Sequence, residues 1–188
     1  MSDYESQSLR KYLDDLAAKL PAPGGGSSAA LNAAMAASLV SMVVNFTLCK
    51  PKYIQYDKEL QQILHKSEKL REEFLKLVDL DVVVYRSKSL RDSLNVPFMV
   101  CRLCYEGSKL CTPLITKGNV NLISDVAVAA IFFESAFSAA YFNVEINLKL
   151  LGNKKLSLSM KKELKKKGSA IIKIRLNTEE KVGKIIRG

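Results

Sequence analysis

The sequence predicts an all-α protein, a single-domain helical bundle with two long, buried, neutral helices at its centre. Apolar residues recur at helical spacing along most of the chain, and no segment shows sustained alternation with a period of two residues. Two stretches, residues 28–47 and 126–151, are apolar almost all round, which is typical of helices enclosed by others. At 188 residues, 48% of them hydrophobic, the chain fits one domain spanning residues 1–188.

The first predicted helix is amphipathic and ends at a proline-rich turn. Its apolar stripe consists of Leu9, Tyr12, Leu13, Leu16, Ala17 and Leu20. Pro21 and Pro23 end this helix, and the three glycines that follow permit backbone angles closed to other residues. We expect Ser27 or Ser28 to cap the next helix.

The second predicted helix runs from about Ser28 to Thr47, and no residue from Pro21 to Leu48 is charged. Small residues repeat at four-residue intervals, so that neighbouring backbones can approach closely. Its length would cross a membrane, but polar side chains interrupt it and alanine outnumbers leucine. We therefore expect this helix to be the centre of the bundle, buried on all sides.

A third helix is expected to begin with Pro51 in its first turn and to bury a long stripe that ends at Tyr85. Asp81 falls on this stripe, where the periodicity requires an apolar residue. A carboxylate on a core-facing stripe needs either a structural partner or a chemical task, and the sequence leaves both open.

A polar connection at residues 86–95 precedes the fourth predicted helix. This helix is expected to begin near Pro97 and to end near Gly118. Residues 118–125 then lead into the second neutral helix, which brings the expected total to about six helices with the one that follows.

The last predicted helix is rich in lysine. It starts at a cap offered by Ser157 or Ser159, and it is either continuous or broken at Asn177 and Thr178. The whole net charge of +10 lies in residues 149–188. A solvated lysine face explains this charge, and nucleic acid, an anionic membrane surface or a polyanionic ligand are the alternatives. No aromatic residues interleave with the lysines to stack bases, which disfavours single-stranded nucleic acid.

Several classes of protein are excluded by the motifs. The first 20 residues are charged and amphipathic and do not have the pattern of a secretory leader, so we expect a cytoplasmic location. There is no Walker loop and no dinucleotide fingerprint, because the glycines follow a helix and not a strand. The four cysteines, at positions 49, 101, 104 and 111, are expected to be reduced core thiols, with a zinc site as the alternative.

Three separated motifs carry the functional signal. They are PAPGGGSSAALNAAMAASLVSMVVNFT at residues 21–47, GNVNLISDVAVAA at residues 118–130 and NVEINLKLL at residues 143–151. Together they resemble the cyclodeaminase/cyclohydrolase family, which includes the C-terminal domain of formiminotransferase-cyclodeaminase and the stand-alone bacterial methenyltetrahydrofolate cyclohydrolases. The resemblance extends from the first helix to about Leu151.

The resemblance implies an all-α fold, usually a homodimer, that acts on one-carbon derivatives of tetrahydrofolate. Stand-alone members hydrolyse 5,10-methenyltetrahydrofolate to 10-formyltetrahydrofolate, and the fused domain releases ammonia from 5-formiminotetrahydrofolate. Neither reaction requires a metal or a cofactor. Because no transferase domain is attached, we expect the cyclohydrolase reaction, with the cyclodeaminase reaction as the alternative.

The methenyl substrate carries a cationic, electrophilic carbon, so its hydrolysis calls for a carboxylate that stabilises the cation and accepts a proton from water. Asp125 and Asp81 are the candidates. We expect Asp125 to be the main catalytic carboxylate, because it opens a buried helix beside Asn119, Asn121 and Ser124. The alternative for Asp125 is a cap with a favourable first-turn charge.

The remaining candidates would bind the pterin ring or order the pocket. The N–H groups of Gly24, Gly25 and Gly26 at a helix start are donors for a carbonyl or a carboxylate. Neutral donors and acceptors are offered by Ser27, Asn45, Thr47, Asn119, Asn121, Ser124, Asn143 and Asn147. A tight turn without ligand and hydrogen bonds between helices are the alternatives. A polyglutamate tail on the folate would give the basic C-terminal region an anionic ligand.

One segment departs from the family pattern. Between Asp81 and Pro97 the chain is shorter than the helical hairpin expected of typical members, so looser binding or a different substrate is an alternative. Two alternatives come from other functional classes: a non-catalytic helical protein that binds folate or only dimerises, and a basic bundle that binds nucleic acid. The leading expectation is a folate enzyme without a nucleic-acid or membrane partner.

Overall fold

The computed structural model describes residues 3–188, and within this range it confirms the predicted all-α fold, without strands. Two 3₁₀ turns, Ile54–Tyr56 and Val120–Leu122, precede the third and fifth helices. The helices, in chain order, are α1 (Leu9–Ala17), α2 (Gly25–Asn45), α3 (Asp57–Ser87), α4 (Leu90–Lys117), α5 (Ile123–Leu151) and α6 (Lys154–Arg187).

The start of α2 differs from the predicted serine cap. Gly24 is the N-cap in an extended conformation, and Gly25 is the first helical residue. Ser27 and Ser28 therefore lie inside the first turn, where the Ser28 hydroxyl donates to the Gly24 carbonyl at 2.9 Å. The cap prediction is wrong because the helix already begins at the glycines, where Gly26 packs against the Asp81 side chain of α3.

The predicted starts of α3 and α4 are also wrong. Pro51 lies in a turn before α3, which begins only at Asp57. α4 begins at Leu90, so that Pro97 lies inside it. The reason is local, because the Ser89 hydroxyl accepts the N–H of Asp92 at 3.3 Å and starts the helix before the proline is reached.

α6 is one unbroken helix, which removes the alternative of two. Its N-cap is Asn153 and neither of the predicted serines, since the Asn153 Oδ1 accepts the N–H of Leu156 at 3.0 Å. The helix continues through Asn177 and Thr178, and the Thr178 hydroxyl donates to the Ile174 carbonyl at 2.8 Å. A hydroxyl satisfied by the preceding turn does not compete with the helical backbone.

α2 and α5 lie side by side in opposite directions at the centre, with α3 and α4 packed around them and α6 against α4 and α5. Both pass the length and hydropathy criteria of a membrane span, and 61% of the α2 window but 39% of the Val120–Leu151 window is buried inside the fold. Each keeps one exposed stripe, with Met35 45%, Ile131 37% and Phe142 72% exposed. The expectation that α2 is buried on all sides is therefore wrong for the single chain.

The cysteines divide into two kinds. Cys101, Cys104 and Cys111 are buried free thiols, as expected, and burial raises the pKa of Cys101 and of Cys111 to about 12. Cys49 is exposed just beyond α2, so the expectation of a core thiol is wrong at that position. It stands where the chain leaves the bundle core.

Candidate active site

An open pocket of about 520 Å³ lies at the start of α2, where this helix meets α3, α4 and α5. Six of the residues predicted to bind substrate or to act in catalysis line it, namely Gly24, Gly25, Gly26, Asp81, Asn143 and Asn147. The lining is completed by Pro21, Ala22, Val84, Tyr85, Lys88, Leu90, Ser93, Ile146 and Leu150. The structure thus brings six of the thirteen predicted residues into one place.

Asp81 is the one carboxylate among the lining residues. Its Oδ2 accepts the backbone N–H of Ser27 at 2.9 Å. Burial raises the pKa of Asp81, and the hydrogen bond from Ser27 opposes part of that rise. Asp81 therefore holds a proton more firmly than a surface aspartate does, which suits a group that takes a proton from water.

Gly26 is required by the position of Asp81. A Cβ at residue 26 would overlap Oδ1 of Asp81 and lie 2.7 Å from its Cγ. At Gly25 a Cβ would stand 3.6 Å from Nδ2 of Asn143, an ordinary contact, and at Gly24 it would meet nothing within 4 Å. One glycine of the three thus admits the carboxylate, and the other two leave the helix start open to a ligand.

Asn143 and Asn147 form the α5 wall of the pocket, facing the glycines as expected. Asn143 donates from Nδ2 to the Ala139 carbonyl at 3.1 Å within its own helix. Asn147 donates from Nδ2 to the Ser93 carbonyl at 2.7 Å and so joins α5 to α4. For Asn147 the alternative of an interhelical hydrogen bond is confirmed, and it coexists with a place in the pocket lining.

Ser27 serves the pocket differently from the expected direct contact. Its side chain is fully buried, and its Oγ accepts a hydrogen bond from the Tyr12 hydroxyl at 3.1 Å. Its contribution is the backbone N–H that holds Asp81. A buried hydroxyl with a protein partner is not available to a ligand, so Ser27 positions Asp81.

The other predicted residues do not reach this pocket. They lie where α2 ends and α5 begins, and they are Asn45, Thr47, Asn119, Asn121, Ser124 and Asp125. Because α2 is 21 residues long, its two ends are about 30 Å apart. Within one chain the two groups therefore cannot contact the same small region of a ligand.

At this second location, Thr47 and Asn119 hold the two helix ends together. The fully buried Thr47 Oγ1 donates to the Val43 carbonyl at 2.6 Å and accepts the N–H of Asn119 at 2.9 Å. Asn119 in turn donates from Nδ2 to the Phe46 carbonyl at 3.1 Å. Asp125 is half-buried in the first turn of α5, outside the pocket, and its predicted catalytic role stays a prediction.

Sequence reasoning missed Tyr85 and Lys88 as pocket residues. Tyr85 was expected in the core, yet it is 57% exposed and lines the pocket. Asp81, Tyr85 and Lys88 follow one another at intervals of four and three residues, which places them on one face of α3 and its end. That spacing from Asp81 was the signal available in the sequence.

The sequence model described as formiminotransferase-cyclodeaminase matches residues 8–89 and 85–166 of the chain. The chain belongs to this family. Membership in the formiminotransferase-cyclodeaminase family confirms the predicted resemblance. The match is in two stretches, which meet at residues 85–89, where α3 gives way to α4. The two matched stretches thus overlap within the segment between Asp81 and Pro97 that is expected to be short.

Relatives within the formiminotransferase-cyclodeaminase family carry names for different reactions. A methenyltetrahydrofolate cyclohydrolase of Methylorubrum extorquens is 33% identical over 182 residues, with 85% of this chain and 88% of that protein covered. The formimidoyltransferase-cyclodeaminase of Rattus norvegicus is 28% identical over 165 residues, with 76% of this chain covered. The chain spans only 30% of the rat protein.

The fold is also shared with a solved structure of the formiminotransferase-cyclodeaminase family. The crystal structure of formiminotetrahydrofolate cyclodeaminase from Thermotoga maritima matches with a TM-score of 0.93 and 28% sequence identity. The match covers 97% of this chain and 99% of the other. Relatives of nearly the same extent as this chain therefore carry either reaction name, so the length of the matched region does not separate the two reactions.

Proposed function

We propose that this protein hydrolyses 5,10-methenyltetrahydrofolate to 10-formyltetrahydrofolate. The observation that carries the proposal is a half-buried carboxylate, Asp81, held by the Ser27 N–H in a pocket at a glycine-lined helix start. The supporting comparison is the 33% identity to a methenyltetrahydrofolate cyclohydrolase, which extends over most of both chains. No metal ion or cofactor takes part in the proposed reaction.

In this mechanism Asp81 has two tasks. The methenyl carbon lies between N5 and N10 of the folate and carries positive charge, which the carboxylate stabilises. Water attacks this carbon while Asp81 accepts one of its protons. The hydroxyl of the adduct then loses its proton to form the carbonyl as the bond from the carbon to N5 breaks, N5 takes up one proton, and the formyl group stays on N10. One water is consumed and one proton is released.

The pocket walls would hold the pterin ring beside Asp81. The N–H groups of Gly25 and Gly26 belong to the first turn of α2, where no carbonyl of the same helix accepts them. Together with the amides of Asn143 and Asn147 they offer donors and acceptors to the ring. A flat heterocycle with alternating donors and acceptors fits such a lining.

The second candidate is the cyclodeamination of 5-formiminotetrahydrofolate, favoured by the TM-score of 0.93 to the Thermotoga cyclodeaminase. In that reaction N10 attacks the formimino carbon and ammonia leaves. Asp81 would then stabilise the same methenyl cation as it forms. The two reactions share the cationic product or substrate, so they place the same demand on the pocket.

The reaction is tested by following the methenyl absorbance with purified protein. We expect its loss to be accelerated well beyond the rate in buffer, with 10-formyltetrahydrofolate as product. A parallel assay measures ammonia released from 5-formiminotetrahydrofolate. Ammonia release without methenyl hydrolysis would reassign the enzyme to the second candidate, and no turnover of either substrate would contradict an enzymatic role.

We also propose a homodimer through the exposed stripes of α2 and α5, which we call the central surface. It comprises Met35 and Ser38 of α2 and Ile131, Ala139 and Phe142 of α5, none of them charged. The two helices are joined there by the Asn32 Nδ2, which donates to Ser135 Oγ at 2.8 Å. A neutral surface on paired helices favours contact with a second copy, and twofold dimers are the commonest assembly.

Charges on the central surface are expected to separate the dimer. Met35→Glu combined with Ile131→Glu should halve the mass measured by light scattering, because two carboxylates would lose their water in the contact. The control is Leu158→Glu on α6, where the side chain is 74% exposed and lies outside the central surface. A wild-type protein that is monomeric at tens of micromolar would contradict the dimer.

The proposal also includes a cytoplasmic location and folates with a polyglutamate tail. A location in the cytoplasm agrees with α2 and α5 lying within a bundle of amphipathic helices. The polyglutamate would lie along the exposed lysines of α6, at positions 154, 155, 161, 162, 165 and 166. Neither nucleic acid nor a membrane is a partner in this proposal.

A further inference from the structure

We infer that Lys88, with Arg91 beside it, binds the carboxylates of the benzoylglutamate part of the substrate. The inference rests on the proposed function and gives the short connection between α3 and α4 a task of its own. It concerns a different end of the substrate from the one that reacts at Asp81.

The pocket is lined by one acidic and one basic side chain. Asp81 lies on α3 against the start of α2, and Lys88 is the one cation among the lining residues. Lys88 is the exposed C-cap of α3, with φ 57°, and its N–H donates to the Tyr85 carbonyl at 3.3 Å. The acidic Asp81 and the basic Lys88 therefore lie at different positions along α3, with Lys88 at the connection to α4. A folate with a methenyl cation and glutamate carboxylates has the complementary polarity.

A second cationic side chain stands next to the pocket. An adjoining cavity of about 630 Å³ includes Arg91 and Lys155 in its lining. The two cavities are bounded by consecutive residues of α4 and α5, since Leu90 and Leu150 line the first and Arg91 and Leu151 line the second. Arg91 is exposed on the first turn of α4. The cationic lining thus continues from the pocket into the neighbouring cavity.

These two cations are not engaged by protein acids. Within residues 3–188 neither Lys88 nor Arg91 forms an ion pair, whereas Arg102, Lys109 and Lys117 of α4 each have an acidic partner. The acid nearest in sequence is Asp92, whose carboxylate accepts a hydrogen bond from the Ser89 hydroxyl at 2.6 Å. Two carboxylates of a ligand would give Lys88 and Arg91 their counter-charges.

The length of the pocket fits the ligand. Lys88, the C-cap of α3, lies seven positions after Asp81, which is a rise of about 10 Å. In a methenylfolate, a para-substituted benzene ring and an amide separate the reactive carbon from the first glutamate carboxylate by a comparable length. Tyr85 lies between Asp81 and Lys88 and is 57% exposed, so its ring offers a surface to the benzoyl group.

The connection between α3 and α4 coincides with the overlap of the two family matches. The two stretches matched by the family model meet at residues 85–89, which include Tyr85 and Lys88. The connection consists only of Lys88 and Ser89, so α4 begins at the pocket mouth and brings Leu90 and Arg91 there. The contact that we infer is therefore a property of this chain's short connection.

The test compares the kinetics of Lys88→Gln with those of the wild-type protein. Lys88→Gln should raise KM for methenyltetrahydrofolate about three- to tenfold at unchanged kcat, because an exposed ion pair stabilises the bound substrate and the transition state equally. Lys88→Arg should restore KM, and Lys88→Gln combined with Arg91→Gln should raise it further. Added salt should raise KM for the wild type more than for the double variant.

The matched control is Lys76→Ala, which removes an exposed lysine of α3 outside the pocket lining and should leave KM unchanged. A KM of Lys88→Gln within twofold of the wild-type value would overturn the inference while leaving the proposed function intact. If the wild type turns over neither folate, the proposed function fails. The subsite is then judged by calorimetric binding of p-aminobenzoylglutamate, and equal affinity of wild type and Lys88→Gln overturns it.

Discussion

Asp81→Asn is expected to lower kcat/KM for methenyltetrahydrofolate by roughly 10²- to 10⁴-fold. The amide oxygen still accepts the Ser27 N–H, so the side chain keeps its place. It no longer takes a proton from water, and it carries no charge to offset the methenyl cation. The measurement is the initial rate of absorbance loss at substrate concentrations well below KM.

The same substitution should not weaken the fold at neutral pH. Burial raises the pKa of Asp81, so the folded state binds this proton more tightly than the unfolded state does. The stabilisation is therefore present at acidic pH and is lost as the pH rises through the raised pKa, which leaves the ionised carboxylate unfavourable at pH 7. Asp81→Asn removes this cost, and we expect an equal or higher Tm at pH 7 and a difference that shrinks as the pH falls through the raised pKa.

The pH dependence of activity follows from the same shift. The acid limb of kcat/KM for the wild type should lie above the ordinary aspartate value of about 3.9, because only the ionised Asp81 acts as base. The acid limb of the kcat profile should lie at lower pH than that of kcat/KM, because the cationic substrate bound beside Asp81 favours its carboxylate form. An acid limb that stays unchanged in Asp81→Asn would show that another group titrates.

Asp125→Asn is the matched control for these measurements, because it removes a carboxylate of the other cluster. If Asp125→Asn abolishes turnover while Asp81→Asn retains it, the assignment to Asp81 is wrong and the predicted priority of Asp125 is right. If both variants lose turnover in the dimer, the two clusters act together across subunits. The unfolding curve of each variant shows whether a loss of turnover comes from a loss of folding.

Gly26→Ala is expected to lower kcat/KM by about 10²-fold and the free energy of unfolding by about 1 to 2 kcal/mol. The added Cβ would occupy the place of the Asp81 carboxylate, which must turn away and lose the hydrogen bond from Ser27. Alanine is the better helix former by about 1 kcal/mol, so a net destabilisation would report the overlap and not the helix propensity.

Two further variants separate the causes of the Gly26→Ala effect. Gly25→Ala places a Cβ at ordinary contact distance, so its Tm should be unchanged or higher. In the Asp81→Ala background the overlap is gone, and Gly26→Ala should then stabilise the helix. If Gly26→Ala destabilises the protein equally in both backgrounds, the close approach of Gly26 and Asp81 is not the cause.

The helices were predictable because their apolar periodicity is strong over long stretches. The predicted helix starts were wrong where a capping hydrogen bond outweighed the average helix-start preference of another residue. Ser89 starts α4 ahead of Pro97, and Asn153 starts α6 ahead of two serines. The start of α2 was misplaced because a glycine's helix propensity is low, whereas packing against Asp81 favours a residue without a side chain.

The chemical type of the site was also present in the sequence. A carboxylate at an apolar position of α3 and three glycines before a neutral helix were both identified, and they meet in the pocket. The predicted rank of the two carboxylates has no support from the pocket geometry. Motif order along the chain contains no information on distance, and Asp125 stands about 30 Å from the glycines because α2 lies between them.

By itself, the sequence determined the helical class, the neutral centre and the family of this protein, because these depend on periodicity and on residue types in order. Only the tertiary structure decided which candidates share a pocket, since that depends on the antiparallel packing of α2 and α5. It also placed Tyr85 and Lys88 at the pocket mouth. The exposure of a side chain depends on how neighbouring elements pack around it. Tyr85 and Lys88 lie at the two-residue connection after α3, and their exposure could not be predicted from the periodicity of α3 alone.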